Sequence, residues 1–186
     1  MPRPKSRSDE EVLDAALHLV RQDGPESLTF QSLAQATGLS ASTLVQRFRT
    51  KQDLVRAALM HAWDELDQQT AYLAATLPNT PDGAVQLLIG LSHYGEIEAF
   101  AEGLLLLRED LRDPLLRRRG QAWKAALISA LDEKFAGTPD APPGIGLMLA
   151  SQWQGSLIWW GFDPRGAVEA FVEPCLRKLL EALRIA

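Results

Sequence analysis

The chain has one cysteine, Cys175, in 186 residues. No intramolecular disulfide can form, and a reducing compartment is the simple expectation. No apolar run approaches the roughly 20 residues that cross a bilayer. The opening Met1-Pro2-Arg3-Pro4-Lys5-Ser6-Arg7-Ser8 lacks the apolar core of a secretory signal. These absences predict a cytoplasmic protein with no membrane partner. Catalytic signatures are missing too: there is no glycine-rich phosphate loop, no serine elbow, and no cysteine with a base nearby. His18, His61 and His93 stand far apart, and no Cys/His spacing suits zinc. His61 lies at helical spacing from Asp64 and Glu65, which could bind a metal, but a lone histidine beside solvent-facing acids is the plainer reading. The chain is expected to be no enzyme and to hold no cofactor or metal.

Positive charge is also scarce overall, since the net charge is −5. It is unevenly spread. Residues 1–60 hold eight Lys/Arg against seven Asp/Glu, and residues 61–186 hold eleven against seventeen. Arg3, Lys5 and Arg7 sit in a tail without acids, and Arg47, Arg49, Lys51 and Arg56 cluster around a single Asp53. Two basic points could meet phosphates locally, while the acidic remainder would repel DNA and help aim the basic end at it.

What is present is helical periodicity. Ser8-x-x-Glu11 is a capping box opening a helix over about Asp9 to Gln22, with Val12, Ala16, Leu19 and Val20 on one face and Gly24-Pro25 as its stop. Thr29 caps a second helix to Thr37, and Ser40 caps a third from Ala41 to Arg47. Thr50-x-x-Asp53 caps a long fourth, whose stripe of Leu54, Ala58, Ala62, Leu66 and Leu73 runs until Pro78. Thr80-Pro81 starts another helix. The pattern then runs through Leu87 to Leu107 with a break expected near His93-Tyr94-Gly95, restarts at Asp113-Pro114 and runs to about Ala136. Gly137 to Gly144 reads as an exposed loop. The helix from Ile145 to Trp160 is apolar on most sides, and the last one carries Val168, Phe171, Val172, Cys175, Leu176, Leu179, Leu180 and Leu183; Cys175 reads there as a small buried hydrophobe. The fold class is all-α: a three-helix head with a helix-turn-helix, then a C-terminal helical bundle, about nine helices in all.

Ser32-Leu33-Ala34, Gly38 and Leu44 have helix-turn-helix spacing. Ala34 permits close approach, and Gly38 can take the positive φ that the turn demands. Leu39 and Leu44 would anchor the recognition helix, leaving Ala41, Ser42, Thr43, Gln46 and Arg47 outward. Gln pairs with adenine, Arg with guanine or phosphate, and Ser or Thr with base edges.

The stretch from Leu28 to Leu54, with Val12-Leu13-Asp14-Ala15-Ala16-Leu17 and Gly24 before it, resembles the tetracycline-repressor (TetR) family signature. The resemblance covers about residues 9–60; beyond them it lies in helix count, length and the closing helix pair. It implies that Thr29, Ser40, Thr43 and Lys51 contact DNA. Two positions depart from the pattern. Val45 stands where a phosphate-binding tyrosine is usual, so one backbone contact is lost or moved, which weakens binding to every sequence alike. Arg47 stands where histidine is common, keeps a donor and adds a permanent charge.

One short recognition helix makes too few contacts alone, so a homodimer reading two half-sites of double-stranded DNA is expected. The last two helices are the natural interface, because a helix apolar nearly all round must be covered on two sides. Residues 1–50 are read as the DNA-binding domain, extended by the start of the fourth helix, and 51–186 as the ligand-binding and dimerisation domain. The resemblance implies a small-molecule effector among the middle helices, where Trp63, Tyr94, Phe100, Leu104, Arg108, Trp123 and Trp153 are candidate lining residues. Plain core is the simpler reading for each aromatic, and a surface ion pair for Arg108. Two other functions stay open: a small-molecule-binding or protein-adaptor protein of the same fold that no longer binds DNA, and a helical enzyme or cofactor carrier using the middle cavity.

Overall fold

The computed structural model describes residues 7–92 and 97–185. Arg3, Lys5, His93 and Tyr94 lie outside the described residues. Among the described residues there are nine α-helices and no strand: α1 (Asp9–Asp23), α2 (Phe30–Thr37), α3 (Ala41–Phe48), α4 (Lys51–Thr76), α5 (Pro81–Gly90), α6 (Ile97–Arg112), α7 (Pro114–Lys134), α8 (Ile145–Phe162) and α9 (Val168–Leu183). The all-α class follows, and most ends lie within two residues of those read from the sequence, the ordinary scatter of frayed termini; α6 is the exception, running to Arg112, five residues past Leu107. No helix of the described residues is long and apolar enough to cross a membrane.

The chain folds into two compact units, Met1–Glu65 with Ala101–Gly120, and Leu66–Phe100 with Gln121–Ala186. In the first unit, α1 begins with the expected reciprocal capping box: Glu11 N–H donates to Ser8 Oγ, and Ser8 N–H to Glu11 Oε2. The α2 cap is fuller than the sequence suggested, because Ser32 returns the bond of Thr29 and makes a second capping box. Gly38 ends α2 at φ 73°, in the left-handed region where a Cβ would be strained. Val12, Ala16, Leu17, Val20, Leu28, Leu33, Leu44, Leu54 and Ala58 form one buried core beneath α1–α4, and Leu106 of α6 packs onto it. Burying each large aliphatic chain there contributes about 1.5–3 kcal/mol.

In the second unit, α8 and α9 pack together and α5 packs on α9. Gly146 lets α8 close on α7: a Cβ would stand 2.6 Å from Ile128 O, and its N–H donates to Asp132 Oδ1 at 2.7 Å. The end of α4 is held from far along the chain, since fully buried Lys134 donates to Ala74 O, Leu77 O and Asn79 Oδ1. A cation there meets the carbonyls that a helix C-terminus leaves unpaired. Val168, Val172, Leu176 and Leu180 form the buried row of α9, which continues through Pro174; Cys175 is half-buried beside that row.

Candidate nucleic-acid interface

Helix α3 is divided between core and solvent. Leu44 is fully buried and Leu39 packs partly on the same core, while Ala41, Ser42 and Gln46 are exposed and Thr43 is half-buried. Ser40 caps the helix by accepting from Thr43 N–H, and its hydroxyl also lies 2.8 Å from those of Ser42 and Thr43. Three of the expected DNA-contacting hydroxyls thus gather at one helix end, where backbone N–H groups and the helix dipole favour a phosphate. Val45 is 43 % exposed on the same helix. Thr29 is exposed at the start of α2. Arg49 closes α3 at φ 62°, an uncommon conformation for a side-chain-bearing residue, and so brings Thr50 directly into position to cap α4.

The structure adds acids that the sequence reading did not pair with the two expected cations. Arg47 donates to Asp9 Oδ1 at 3.0 Å and to Arg7 O at 3.1 Å, so its side chain is 27 % exposed. Arg7 in turn donates to Thr37 O. Lys51 Nζ reaches Glu26 through both its backbone oxygen, 3.1 Å, and its carboxylate, 3.2 Å. Exposed pairs of this kind contribute about 0.2–1 kcal/mol each, so they are readily exchanged for other partners. No local signal marks them, because the partners lie 38 and 25 residues apart.

The candidate effector residues fall in several places. In the second unit, Trp123 and Trp153 are buried with ring centroids 6.5 Å apart, and each indole N–H donates to a hydroxyl, of Thr70 and Ser92 respectively. Phe100 packs edge-on against Trp160. In the first unit, Leu104 is exposed, and Arg108 points outward and pairs with Glu109 at 3.3 Å. Trp63 donates to Asp110 Oδ1 at 3.1 Å, and Gly120 faces its ring. A cleft of about 410 Å³ opens in this unit among α4, α6 and α7, lined by Val55, Arg56, Leu59, Arg112 and Asp113 among others, and by none of the seven residues expected from the sequence. Across it Arg56 donates to Asp113 at 2.6 Å, a bond that holds the Asp113 carboxyl below its ordinary range.

Burial pushes the Asp110 carboxyl up from 3.8 to about 6, against the opposing hydrogen bond from Trp63. Between those values the folded chain keeps a proton that the unfolded chain releases. Stability from this group is therefore present at low pH and lost as pH rises through about 6. Asp110→Asn keeps the carbonyl acceptor for Trp63 but never ionises. The variant should melt higher than the parent at neutral pH and show a flatter melting profile across the acidic range. A lower melting temperature at neutral pH would mean that the charge itself is used.

The helix-turn-helix segment is where comparison with known proteins is most direct. Residues 12–58 match the family model described as bacterial regulatory proteins, tetR family. The HTH-type transcriptional regulator BetI of Paraburkholderia phytofirmans is 24 % identical over 168 residues, covering 85 % of this chain and 86 % of that protein. A transcriptional regulator from Rhodococcus sp. Rha1 has the same fold, with a TM-score of 0.75 at 14 % identity, covering 94 % of this chain and 97 % of its own. A transcriptional regulator from Saccharomonospora viridis, solved in complex with choline, gives 0.71 at 18 % identity over 91 % and 93 %. These relatives are regulators of transcription rather than enzymes. Over its helix-turn-helix, residues 12–58, this chain is similar to the tetR family of bacterial regulatory proteins, and over most of its length to transcriptional regulators.

Proposed function

We propose that this regulator is a cytoplasmic, homodimeric repressor, released from a palindromic operator when a small apolar or aromatic effector binds its helical body. The observation that carries the reading is the division of α3: Leu44 is anchored in the core while Ala41, Ser42 and Gln46 face solvent. Residues 1–50, with the start of α4, would be the DNA-binding domain, and 51–186 the ligand-binding and dimerisation domain. Thr29, Ser40, Thr43 and Lys51 would hold phosphates, and Ala41, Ser42, Gln46 and Arg47 would face base edges.

The dimer is supported by α8. Its buried residues, from Ile145 to Trp160, occupy one side, while Leu147, Met148, Ile158, Trp159 and Phe162 are exposed. At 100° per residue the exposed set falls within about 120° of the helix circumference, with Ser151 and Gly155 between them. Phe171 of α9 is exposed as well. An unpartnered apolar face on the last two helices suits a self-complementary two-fold contact.

The effector class is supported by the aromatic groups of the second unit: Phe100, Trp123, Trp153 and Trp160. An effector that prefers a conformation with α4 swung would change the distance between the two recognition helices, which must span roughly 34–36 Å to meet successive major grooves. Operator must then weaken effector binding by the same factor as effector weakens operator binding.

A band-shift titration with the protein's own upstream region tests the reading. Arg47→Ala should weaken binding about tenfold, as expected for a lost base or phosphate contact. Lys51→Ala should weaken it for every sequence and lower the salt dependence by about one unit of slope. Variants that bind like the parent would remove these residues from the interface.

A further inference from the structure

We propose that Asp14, His61 and Glu65 form a divalent transition-metal site joining α1 to α4, with Zn²⁺ as the cation it suits. Only one of these helices was visible in the spacing of His61 and Glu65; folding brings in Asp14 from 47 residues away. Their ligand atoms all lie within 4.8 Å of one another. His61 Nε2 is 2.7 Å from Asp14 Oδ1 and 3.9 Å from Glu65 Oε1. Zinc bonds of about 2.0–2.2 Å in tetrahedral geometry set ligand atoms about 3.4 Å apart. The first gap must therefore open and the second close by about half an ångström or a little more. Rotation of two exposed carboxylates supplies that movement.

The side chains are graded as a binding site requires. The His61 side chain is 16 % exposed and held on a helix packed into the core, so the imidazole is set in place. The carboxylates are 56 % and 44 % exposed, which leaves an entry path and room for water at the remaining coordination position. His61 and Glu65 are four apart on α4 and share a face. Arg21 donates to Glu65 Oε2 at 2.9 Å, so it orients that carboxylate from outside and leaves Oε1 toward the imidazole. Two carboxylates and a neutral imidazole balance a double positive charge. One nitrogen donor favours Zn²⁺, Co²⁺ or Ni²⁺ over the all-oxygen preferences of Mg²⁺ and Ca²⁺. The hydrogen bond between His61 and Asp14 occupies the same space. Metal entry displaces the proton on Nε2, either to Nδ1 of a neutral ring or, from a charged ring, to solvent. Occupancy then clamps α1 to α4 and stabilises that unit by linkage.

The binding stands independently of the repressor reading, and so does its test. Untagged, chelator-treated full-length protein is titrated calorimetrically with ZnCl₂ near neutral pH. The expected result is one Zn²⁺ per chain, a melting temperature that rises with Zn²⁺, and no response to MgCl₂. His61→Gln and Asp14→Asn should each lower Zn²⁺ affinity at least tenfold, with circular dichroism matching the parent. Asp14→Asn is isosteric and exposed, so it carries the test even if the histidine variant folds poorly. Binding undiminished in either variant, or no binding by the parent at about 100 µM Zn²⁺, overturns the site.

Discussion

If the proposed homodimer forms through α8, replacing both Trp159 and Phe162 with glutamate should yield a folded monomer of about 20.5 kDa that has lost almost all operator affinity. The two rings are 68 % and 78 % exposed and 6.0 Å apart, so their removal takes little from the core of a single chain. In a dimer the same rings would be covered by their counterparts, and four buried carboxylates without partners would force the chains apart. Operator affinity should fall by roughly 10²–10⁴, because binding the second half-site then gains nothing from the first. Sedimentation velocity and a band shift on one sample check both halves. A double variant that stays dimeric at micromolar concentration would move the interface elsewhere. Monomers that bind a full operator as well as the parent would remove the need for pairing.

The second large effect concerns the recognition helix. Leu44→Ala empties a fully buried position between α3 and the core formed by Val12, Leu17, Leu33 and Leu54. Deleting a leucine from such a site costs about 2–5 kcal/mol, a large part of the roughly 5–15 kcal/mol that holds a domain folded. The melting temperature should fall by roughly 5 °C or more, and amide protection should collapse in α1–α3 while α8 and α9 keep theirs. Leu44→Met, which conserves volume, should cost less than about 1.5 kcal/mol. An unchanged melt for Leu44→Ala would mean that α3 is not anchored by this side chain. Unlike Arg47→Ala, this substitution should weaken DNA binding by loosening the helix, while removing none of the side chains proposed to face DNA.

The helices and their starts were legible residue by residue. Ser8 with Glu11, Ser40 with the N–H of Thr43, and Thr50 with Asp53 act across three positions, so chain order alone brings each pair together. Gly38 was readable because few other residues accept its φ. The face of α3 followed from 3.6-residue periodicity, and so did the double-sided apolarity of α8. The acids beside Arg47 and Lys51 were not legible, nor was the Lys134 cap on α4, nor the meeting of Asp14 with His61. The aromatic residues divide in the same way. Their number was plain in the sequence, but nothing local showed that Trp123 and Trp153 would turn to buried hydroxyls while Trp159 stayed in solvent.

By itself, then, the amino-acid order determined the helices, their caps, the turn before α3 and the side chains this helix turns to solvent. Each depends on interactions within one or two helical turns, whose geometry is the same in any protein. Tertiary structure alone decided which acids hold the basic residues in the free chain, which tryptophans are core and which are surface, and that a carboxylate of α1 lies against the imidazole of α4. Those outcomes rest on contacts between residues tens of positions apart, and only the packing of whole helices sets their distances.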